Sequence, residues 1–232
     1  MLSGMLNNME SRGPDSAGFA IYKNEEKKIF KYSLCIGDLD FNKFKKEISK
    51  KINKSKLNQY SDHVILKTPI EPKTVIKIIN NSFPEISLVG YGNSIEIFKQ
   101  VGNPKDVVKK FKLDSFSGTH GIGHTRMATE SAITTDGSHP YSTGKDECLV
   151  HNGSLSNHNN LRRELVKKGN IFNSENDTEV AAGYVSNSLL NKKSLKDTLV
   201  SGLKDLDGFY TFITGTKKGF AVVRDEIACK PA

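Results

Sequence analysis

The chain has 232 residues, of which 36% are hydrophobic and 26% are charged. This length and composition are typical of a globular protein with one large domain or two small ones, and no stretch approaches the roughly 18 consecutive apolar residues of a transmembrane helix. The 34 basic and 26 acidic residues leave a formal net charge of +8, which would suit a nucleic-acid-binding protein if it covered one surface.

The N-terminal elements follow from hydrophobic periodicity. The pattern over 1–10 predicts an amphipathic helix, and we expect its methionines to lie in the core. The apolar face of this helix comprises Leu2, Met5, Leu6 and Met9. A glycine and a proline within 11–16 end the helix, and the residues at 17–22 and 29–32 predict two strands.

Most of the positive charge lies in one lysine-rich segment over 42–58, which we expect to be helical. It contains a single acid, Glu47, and seven lysines: Lys43, Lys45, Lys46, Lys50, Lys51, Lys54 and Lys56. We interpret the segment as a solvated helix face and predict no nucleic-acid or membrane partner. The alternative is a nucleic-acid-binding patch, which would have to bind even at about 200 mM salt.

The middle of the chain predicts a small α+β unit. Its expected elements are strand 63–67, helix 73–83, strand 85–90 and strand 95–101. We interpret 42–117 as an insertion or subdomain within a single domain that covers 1–232.

The second half of the chain predicts a further set of strands and helices. The expected elements are strands 121–127 and 147–151, helices 157–168, 178–190 and 195–206, and strands 209–214 and 220–224. Because strands and helices come in blocks rather than in strict alternation, the pattern favours α+β layers over a doubly wound parallel sheet.

Cysteine and histidine spacing argues against a metal site. Cys35, Cys148 and Cys229 are widely separated and form no C-x-x-C or zinc-ligand pattern, and we interpret the last two as small buried hydrophobes. His120 and His124 are four residues apart on a predicted strand, where that spacing is about 13 Å. We therefore predict no metal, no cofactor and no disulfide, and a reducing, cytoplasmic compartment.

The sequence His151-Asn152-Gly153 is predicted to end a strand. At such a position the side-chain amide of Asn152 and the backbone N–H of Gly153 can point at one acceptor and form an oxyanion hole. The alternative is an ordinary β-turn, for which Asn-Gly is a very common dipeptide.

Two charged residues are candidates for binding a zwitterion. Arg126 ends a predicted strand and can hold a carboxylate through two parallel hydrogen bonds, or it can form a structural ion pair. Asp177 lies at a predicted helix start, where it can bind a substrate ammonium or cap the helix. Together with an oxyanion hole, they describe a site for an amino acid whose side-chain carbonyl is attacked, and glutamine is the natural candidate.

Four ordered sequence blocks carry a resemblance to a known family. They are Ser-Arg-Gly-Pro-Asp-Ser-Ala-Gly at 11–18, His-Thr-Arg-Met-Ala-Thr at 124–129 with His139-Pro140, His151-Asn152-Gly153 with 157–169, and Asn-Asp-Thr-Glu-Val at 176–180. Over 1–22 and 118–232 the chain resembles a class II glutamine amidotransferase domain of the N-terminal-nucleophile hydrolase superfamily. Its inserted middle is similar to that of stand-alone glutaminase subunits of glutamate-synthase or N-methylglutamate-synthase type systems.

The resemblance implies a fold, a reaction and a set of site residues. The fold is an α+β, four-layer αββα sandwich with two antiparallel sheets between helical layers. The reaction is hydrolysis of glutamine to glutamate and ammonia, which passes to a synthase domain or subunit, and the protein could assemble as an oligomer. The implied residues are Arg126, Thr129 and His139 for the α-carboxylate, Asp177 for the α-ammonium, Asn152 and Gly153 for the oxyanion, and Arg12 as a support for the catalytic loop.

The nucleophile of the family is a cysteine at the mature N-terminus, whose own α-amino group acts as the base. This chain begins Met1-Leu2-Ser3, and its three cysteines match no nucleophile position. We therefore expect the nucleophile upstream of Met1, together with an N-terminal strand and a further C-terminal segment. The alternative is a catalytically silent amidotransferase-like module with a binding or assembly role.

Overall fold

The computed structural model describes residues 1–128, 132–191 and 193–231, and the strands of these residues form three antiparallel sheets. The strands are β1 (Ser16–Tyr22), β2 (Phe30–Cys35), β3 (Lys56–Tyr60), β4 (His63–Thr68), β5 (Ser87–Gly92), β6 (Ile95–Val101), β7 (His120–Arg126), β8 (Glu147–Leu155), β9 (Gly208–Thr216) and β10 (Gly219–Arg224). The helices are α1 (Leu2–Asn8), α2 (Phe41–Lys51), α3 (Pro72–Ser82), α4 (Pro104–Phe111), α5 (His158–Lys167), α6 (Asp177–Leu190) and α7 (Leu195–Asp205).

Two of the sheets pack face to face and form the centre of the molecule. The first has the order β6-β1-β7 and the second the order β10-β9-β8. Alternate side chains of a strand point to opposite faces, so Ala20 and Tyr22 of β1 face the second sheet, where they meet Cys148 and Val150 of β8.

Helices cover the outer faces of these two sheets. Phe19 of β1 points away from the second sheet and packs with residues of α1 and α4, and Leu149 and Tyr210 of the second sheet pack with α6 and α7. The order of layers is therefore helices, sheet, sheet, helices, which confirms the expected αββα fold.

The third sheet, of order β3-β4-β2-β5, has a hydrophobic core of its own. The helices α2 and α3 cover it, and Phe44, Ile48, Val75 and Ile79 are their buried anchors. This unit spans residues 30–92, whereas β6 and α4 pack in the first sheet layer. The interpretation of 42–117 as an insertion stays a prediction.

Three local predictions differ from the structure. The lysine-rich helix ends at Lys51, because the backbone of Ile52 is extended and the chain then enters β3. Met5 and Met9 are exposed rather than in the core, since α1 has only seven residues and buries mainly Leu6. Cys229 is also exposed, while Cys148 is buried as expected. None of the described helices is long and apolar enough to cross a membrane.

Asp146 fastens the β5–β6 turn to the start of β8. Its Oδ1 accepts hydrogen bonds from the N–H and hydroxyl of Ser94, both at 2.8 Å, and its Oδ2 accepts one from the N–H of Asn93 at 3.0 Å. Gly92 makes room for this carboxylate, because a Cβ at that position would lie 2.0 Å from Oδ1.

We expect Asp146→Asn to lower the free energy of unfolding by about 1–2 kcal/mol. The substitution turns one carboxylate oxygen into an NH2 group, which cannot accept the hydrogen bond from the N–H of Asn93 or of Ser94. Urea denaturation at neutral pH measures this change. The same substitution at the exposed Asp207 is the matched control, and an equal effect at both positions would contradict the role assigned to Asp146.

Candidate active site

The loop before β1 holds the end of β7, where Arg126 lies. The N–H of Asp15 donates to the carbonyl of Arg126 at 3.0 Å, and the Asp15 carboxylate accepts from the N–H of Ala128 at 2.7 Å. Gly13 is needed for this approach, since a Cβ there would lie 2.4 Å from the carbonyl carbon of Thr125. The backbone on both sides of Arg126 is thereby fixed by the 11–16 block.

The side chains predicted around Arg126 have different environments. Arg126 is buried, and its Nη1 donates to the carbonyl of Ala132 at 3.4 Å. The side chain of Arg12 is exposed, and no hydrogen bond joins it to another described residue. In the structure it is Asp15 and Gly13 that support this loop. Thr129 lies outside the described residues.

Three histidines and a threonine form a network between β7, β8 and α6, in which His139, His151 and Thr178 are buried and His124 is half-buried. The rings of His124 and His139 stack with their centroids 4.1 Å apart. The Nε2 of His124 donates to the carbonyl of His151 at 3.0 Å, and Nδ1 of His139 accepts from the N–H of His151 at 3.2 Å. Thr178 Oγ1 joins the network 3.1 Å from His151 Nδ1 and 3.3 Å from His139 Nε2.

This network requires neutral imidazoles at two positions. Burial lowers the pKa of His124 to about 4 and, together with the neighbouring His124, lowers the pKa of His139 well below its ordinary value. A protonated His139 could not accept the N–H of His151, because both ring nitrogens would then be donors. Only His139 of these histidines was predicted as a site residue, although all three lie in the sequence blocks that carry the resemblance.

The Asn152-Gly153 pair lies inside β8 and does not end it, so the predicted strand end was wrong. Asn152 pairs with Thr211 of β9, and Gly153 pairs with Tyr210. Gly153 has a φ of +134°, and a Cβ there would lie 1.9 Å from the carbonyl oxygen of Phe209. Glycine is therefore needed for an unusual strand backbone rather than for a turn.

The N–H of Gly153 points to the free side of β8. The N–H of Tyr210 donates to Asp225 Oδ1 at 2.9 Å, and its carbonyl accepts from the N–H of Asp225 at 3.0 Å. Both groups therefore point away from β8, and Gly153 and Tyr210 form a non-hydrogen-bonded pair. The N–H groups of His151 and Leu155 point the same way, since they donate to His139 and to Asp177. The N–H of Gly153 thus lies in a row between a histidine and a carboxylate.

Asp177 is the first residue of α6 and is not its cap. The N-cap is Asn176, whose Oδ1 accepts from the N–H of Thr178 at 2.9 Å. Asp177 Oδ2 accepts from the N–H of Leu155 at 2.8 Å, and Oδ1 lies 3.6 Å from Nδ1 of His151. Burial raises the pKa of Asp177, but His151 and the N–H of Leu155 lower it more, so the carboxylate is ionised at neutral pH.

The side-chain amide of Asn152 is directed at an oxygen acceptor. Its Nδ2 donates to the carbonyl of Pro231 at 2.9 Å, which shows that a carbonyl oxygen fits against this donor. The free edge of β8 brings His139 and Asp177 to the two sides of Gly153, and Asn152 is the neighbouring residue of the same strand. Arg126 ends the neighbouring β7, two residues from His124. An ionised carboxylate, a guanidinium and paired N–H donors can bind a zwitterionic amino acid and stabilise an oxyanion.

One further group of metal-binding residue types lies on the third sheet. Ligand atoms of Cys35, Asp62 and His63 lie within 4.8 Å of one another. Asp62 already accepts from Lys110 at 2.9 Å and lies 3.1 Å from Nδ1 of His63, so its oxygens are used by an ion pair and a hydrogen bond. The arrangement is explained without a metal.

The chain is similar in sequence to several known proteins. A family profile described as a glutamine amidotransferase domain matches residues 124–232. The glutamine amidotransferase-like protein GlxB of Rhizobium meliloti is 48% identical over 100% of this chain and 78% of its own length. The amidophosphoribosyltransferase of Methanocaldococcus jannaschii is 34% identical over 60% of this chain and 30% of its own length.

A solved structure has the same fold. The glutamine phosphoribosylpyrophosphate amidotransferase from B. subtilis, complexed with ADP and GMP, superposes with a TM-score of 0.58 over 96% of this chain and 34% of its own. Its sequence identity is 20%, so the likeness concerns the fold.

Proposed function

This chain belongs to the glutamine amidotransferase family, and we propose that it hydrolyses the side-chain amide of glutamine and delivers the ammonia to a synthase domain or subunit. The observation that supports this most directly is the row of N–H groups on β8, which includes the N–H of Gly153, next to Asn152 in the strand, and has an ionised Asp177 at its end.

The proposed substrate contacts follow from charge. Arg126 binds the α-carboxylate through parallel N–H···O bonds, with Thr129 and His139 in support. Asp177 binds the α-ammonium. This orientation directs the side-chain amide of glutamine along β8, where the Asn152 amide and the N–H of Gly153 receive the oxygen that becomes negatively charged in the tetrahedral intermediate. The role of Arg12 as a support for the catalytic loop stays a prediction, since its exposed side chain makes no hydrogen bond to another described residue.

The proposed nucleophile is a cysteine upstream of Met1, as in the family. Cys148 is unsuited to this role, because burial raises the pKa of its thiol to about 11 and its nearest polar partner is the hydroxyl of Tyr22 at 3.4 Å. Cys35 is on the third sheet, and burial raises the pKa of its thiol. Both are therefore expected to be inert towards glutamine.

The decisive experiment is N-terminal sequencing of the protein from its native source, followed by labelling with a glutamine analogue that carries a diazoketone in place of the amide. Glutamine hydrolysis with the label on an N-terminal cysteine supports the proposal. A label on Cys229 would overturn the assigned nucleophile. Absence of both label and hydrolysis would leave the silent binding or assembly module instead.

Ammonia delivery and location are further parts of the proposal. The three cysteines are free thiols, which supports a reducing, cytoplasmic compartment. With amide-15N glutamine and the synthase that co-purifies with the protein, labelled nitrogen should enter the synthase product in preference to added unlabelled ammonia. Equal use of both nitrogen sources would contradict direct delivery.

We expect Asp177→Asn to raise KM for glutamine by about 10- to 30-fold and to change kcat little, because it removes one charge partner of the α-ammonium while an amide oxygen can still accept from the N–H of Leu155. Initial rates of glutamate release measure both constants. The exposed Glu175, changed to Gln, is the matched control. A loss of kcat with unchanged KM would contradict the role of Asp177 in binding.

A further inference from the structure

A buried ammonium group lies beneath the loop that leads to His139. Lys99 belongs to β6, and only 5% of it is exposed. Its Nζ donates to the carbonyl oxygens of Asp136 and Ser138, both at 3.0 Å, and lies 4.5 Å from the ring centroid of Tyr141. It forms no salt bridge with any carboxylate of the described residues.

This environment is energetically costly for a cation. Burial lowers the pKa of Lys99 to about 8, against the weaker opposing effects of Asp136 and Glu179. Buried charges are normally paired with an opposite charge. A buried ammonium that has only carbonyl partners is typical of a functional site, where its hydrogen bonds hold those carbonyls in place. The two carbonyls that Lys99 holds belong to one short segment, which directly precedes His139.

The space for Lys99 comes from a glycine on the neighbouring strand. Gly18 pairs with Lys99 across β1 and β6. A Cβ at Gly18 would lie 2.2 Å from the carbonyl oxygen of His139 and 2.6 Å from Cβ of Lys99. The absence of a side chain thus lets the lysine and the loop pack against β1 together.

Other contacts hold the same loop on β5 and β6. The hydroxyl of Ser87 donates to Asp136 Oδ2 at 3.1 Å, and Thr135 Oγ1 lies 3.1 Å from the side-chain amide of Gln100. Both contacts join half-buried side chains, whereas the Lys99 ammonium is buried and bridges two backbone carbonyls. Lys99 therefore ties β6 directly to the backbone of the segment that precedes His139.

We propose that Lys99 is a positioning residue for the glutamine site, because it fixes the carbonyls of Asp136 and Ser138 and thereby holds His139 against the N–H of His151. That N–H belongs to the row on β8 that includes Gly153. The inference rests on the proposed function only for its kinetic consequence, since the contact between His139 and His151 can be measured without any substrate.

The test compares Lys99→Met with Lys31→Met in the full-length protein. Lys31 is a matched control, because it is also buried, at 1% exposure, but its carboxylate partners are Glu96 and Glu26, and no hydrogen bond or salt bridge joins it to the described residues of the loop. Hydrogen exchange of the His151 amide is measured first. We expect this amide to exchange at least about 10-fold faster in Lys99→Met than in the wild type. In Lys31→Met, its exchange rate should change only as far as the free energy of global unfolding changes.

Kinetics with glutamine form the second measurement. We expect Lys99→Met to lower kcat/KM by roughly 10- to 100-fold, as for other small displacements of catalytic groups. Lys99→Arg, which retains the charge and the N–H donors, should recover part of the loss, and Lys31→Met should not reduce kcat/KM even if both methionine variants lose stability.

Each outcome bears on a different statement. Unchanged exchange at His151 in Lys99→Met, or equal losses of kcat/KM in Lys99→Met and Lys31→Met, would overturn the proposal for Lys99. If Lys99→Met does not fold, exchange is compared in Lys99→Gln and Lys31→Gln, where an unchanged rate at His151 in Lys99→Gln overturns the proposal and a rate at least about 10-fold faster in that variant alone supports it. If no variant, including the wild type, hydrolyses or binds glutamine, the proposed function fails, and the exchange measurement still decides the role of Lys99.

Discussion

Replacing Asn152 with alanine should lower kcat for glutamine hydrolysis by about 100- to 1,000-fold, equivalent to roughly 3–4 kcal/mol in the activation barrier, and should change KM little. The Asn152 amide already donates to a carbonyl oxygen at 2.9 Å. Its hydrogen bond is expected to strengthen as the substrate oxygen gains negative charge, so its loss affects the transition state more than the bound substrate. Steady-state rates of glutamate release by the full-length protein measure the change.

Two controls separate this effect from damage to β8. Asn159→Ala removes an exposed amide from α5 and should leave kcat unchanged. Thermal unfolding of Asn152→Ala should remain within a few degrees of the wild type, since the backbone pairing of Asn152 with Thr211 does not depend on its side chain. A kcat within about threefold of the wild type would show that this amide is not an oxyanion donor.

Most individual strands and helices could be predicted because they depend on local patterns, whereas the αββα order of the layers was implied by the resemblance to the family. Most core strands alternate or run as apolar segments, and α6 starts at the acidic block that contains Asp177. α4 was not predicted, since Pro104 is usually read as a helix breaker. The structure places this proline at the first turn of α4, after the Asn103 cap, where its missing N–H has no partner to lose.

The contacts that hold the site residues in place could not be predicted from the sequence, because they join residues that are far apart along the chain. Lys99 meets the loop before His139 some 39 positions later, and Asp146 reaches back 52 positions to Ser94. The role of Gly153 was also hidden. Asn-Gly is a common turn signal, and only the pairing with β9 shows that the glycine lies within a strand.

Acidification should destabilise the protein through His124. Its pKa is about 4 in the folded chain and about 6.5 when unfolded, so the unfolded state binds more protons between these values. The stability that the neutral ring contributes is complete above pH 6.5 and is lost as the pH falls towards 4. The Nδ1 atom of His124 is shielded from water, but the side chain as a whole is half-buried, so solvent screens part of the effect. We therefore expect the free energy of unfolding to fall by about 2–3 kcal/mol.

A substitution isolates this contribution, because other groups titrate in the same range. His139 also destabilises the folded protein as the pH falls, because its pKa is lowered in the folded state. Glu147 has the opposite effect: burial raises its pKa to about 7, so the folded state binds a proton first and becomes more stable as the pH falls. His124→Gln keeps an N–H donor for the carbonyl of His151 but does not titrate. The free energy of unfolding, measured in urea at pH 7 and pH 4.5, should therefore fall by less in His124→Gln than in the wild type.

Glu147 supplies the matched control for this pH experiment, because its protonation stabilises the folded protein as the pH falls. Glu147→Gln removes a group that stabilises the folded state on acidification, so this variant should lose more stability than the wild type between pH 7 and pH 4.5. The order of acid sensitivity is then Glu147→Gln, wild type, His124→Gln. If His124→Gln and the wild type lose the same free energy, His124 is not an acid-sensitive group of this site. The inverse order would mean that His124 is already protonated in the folded protein.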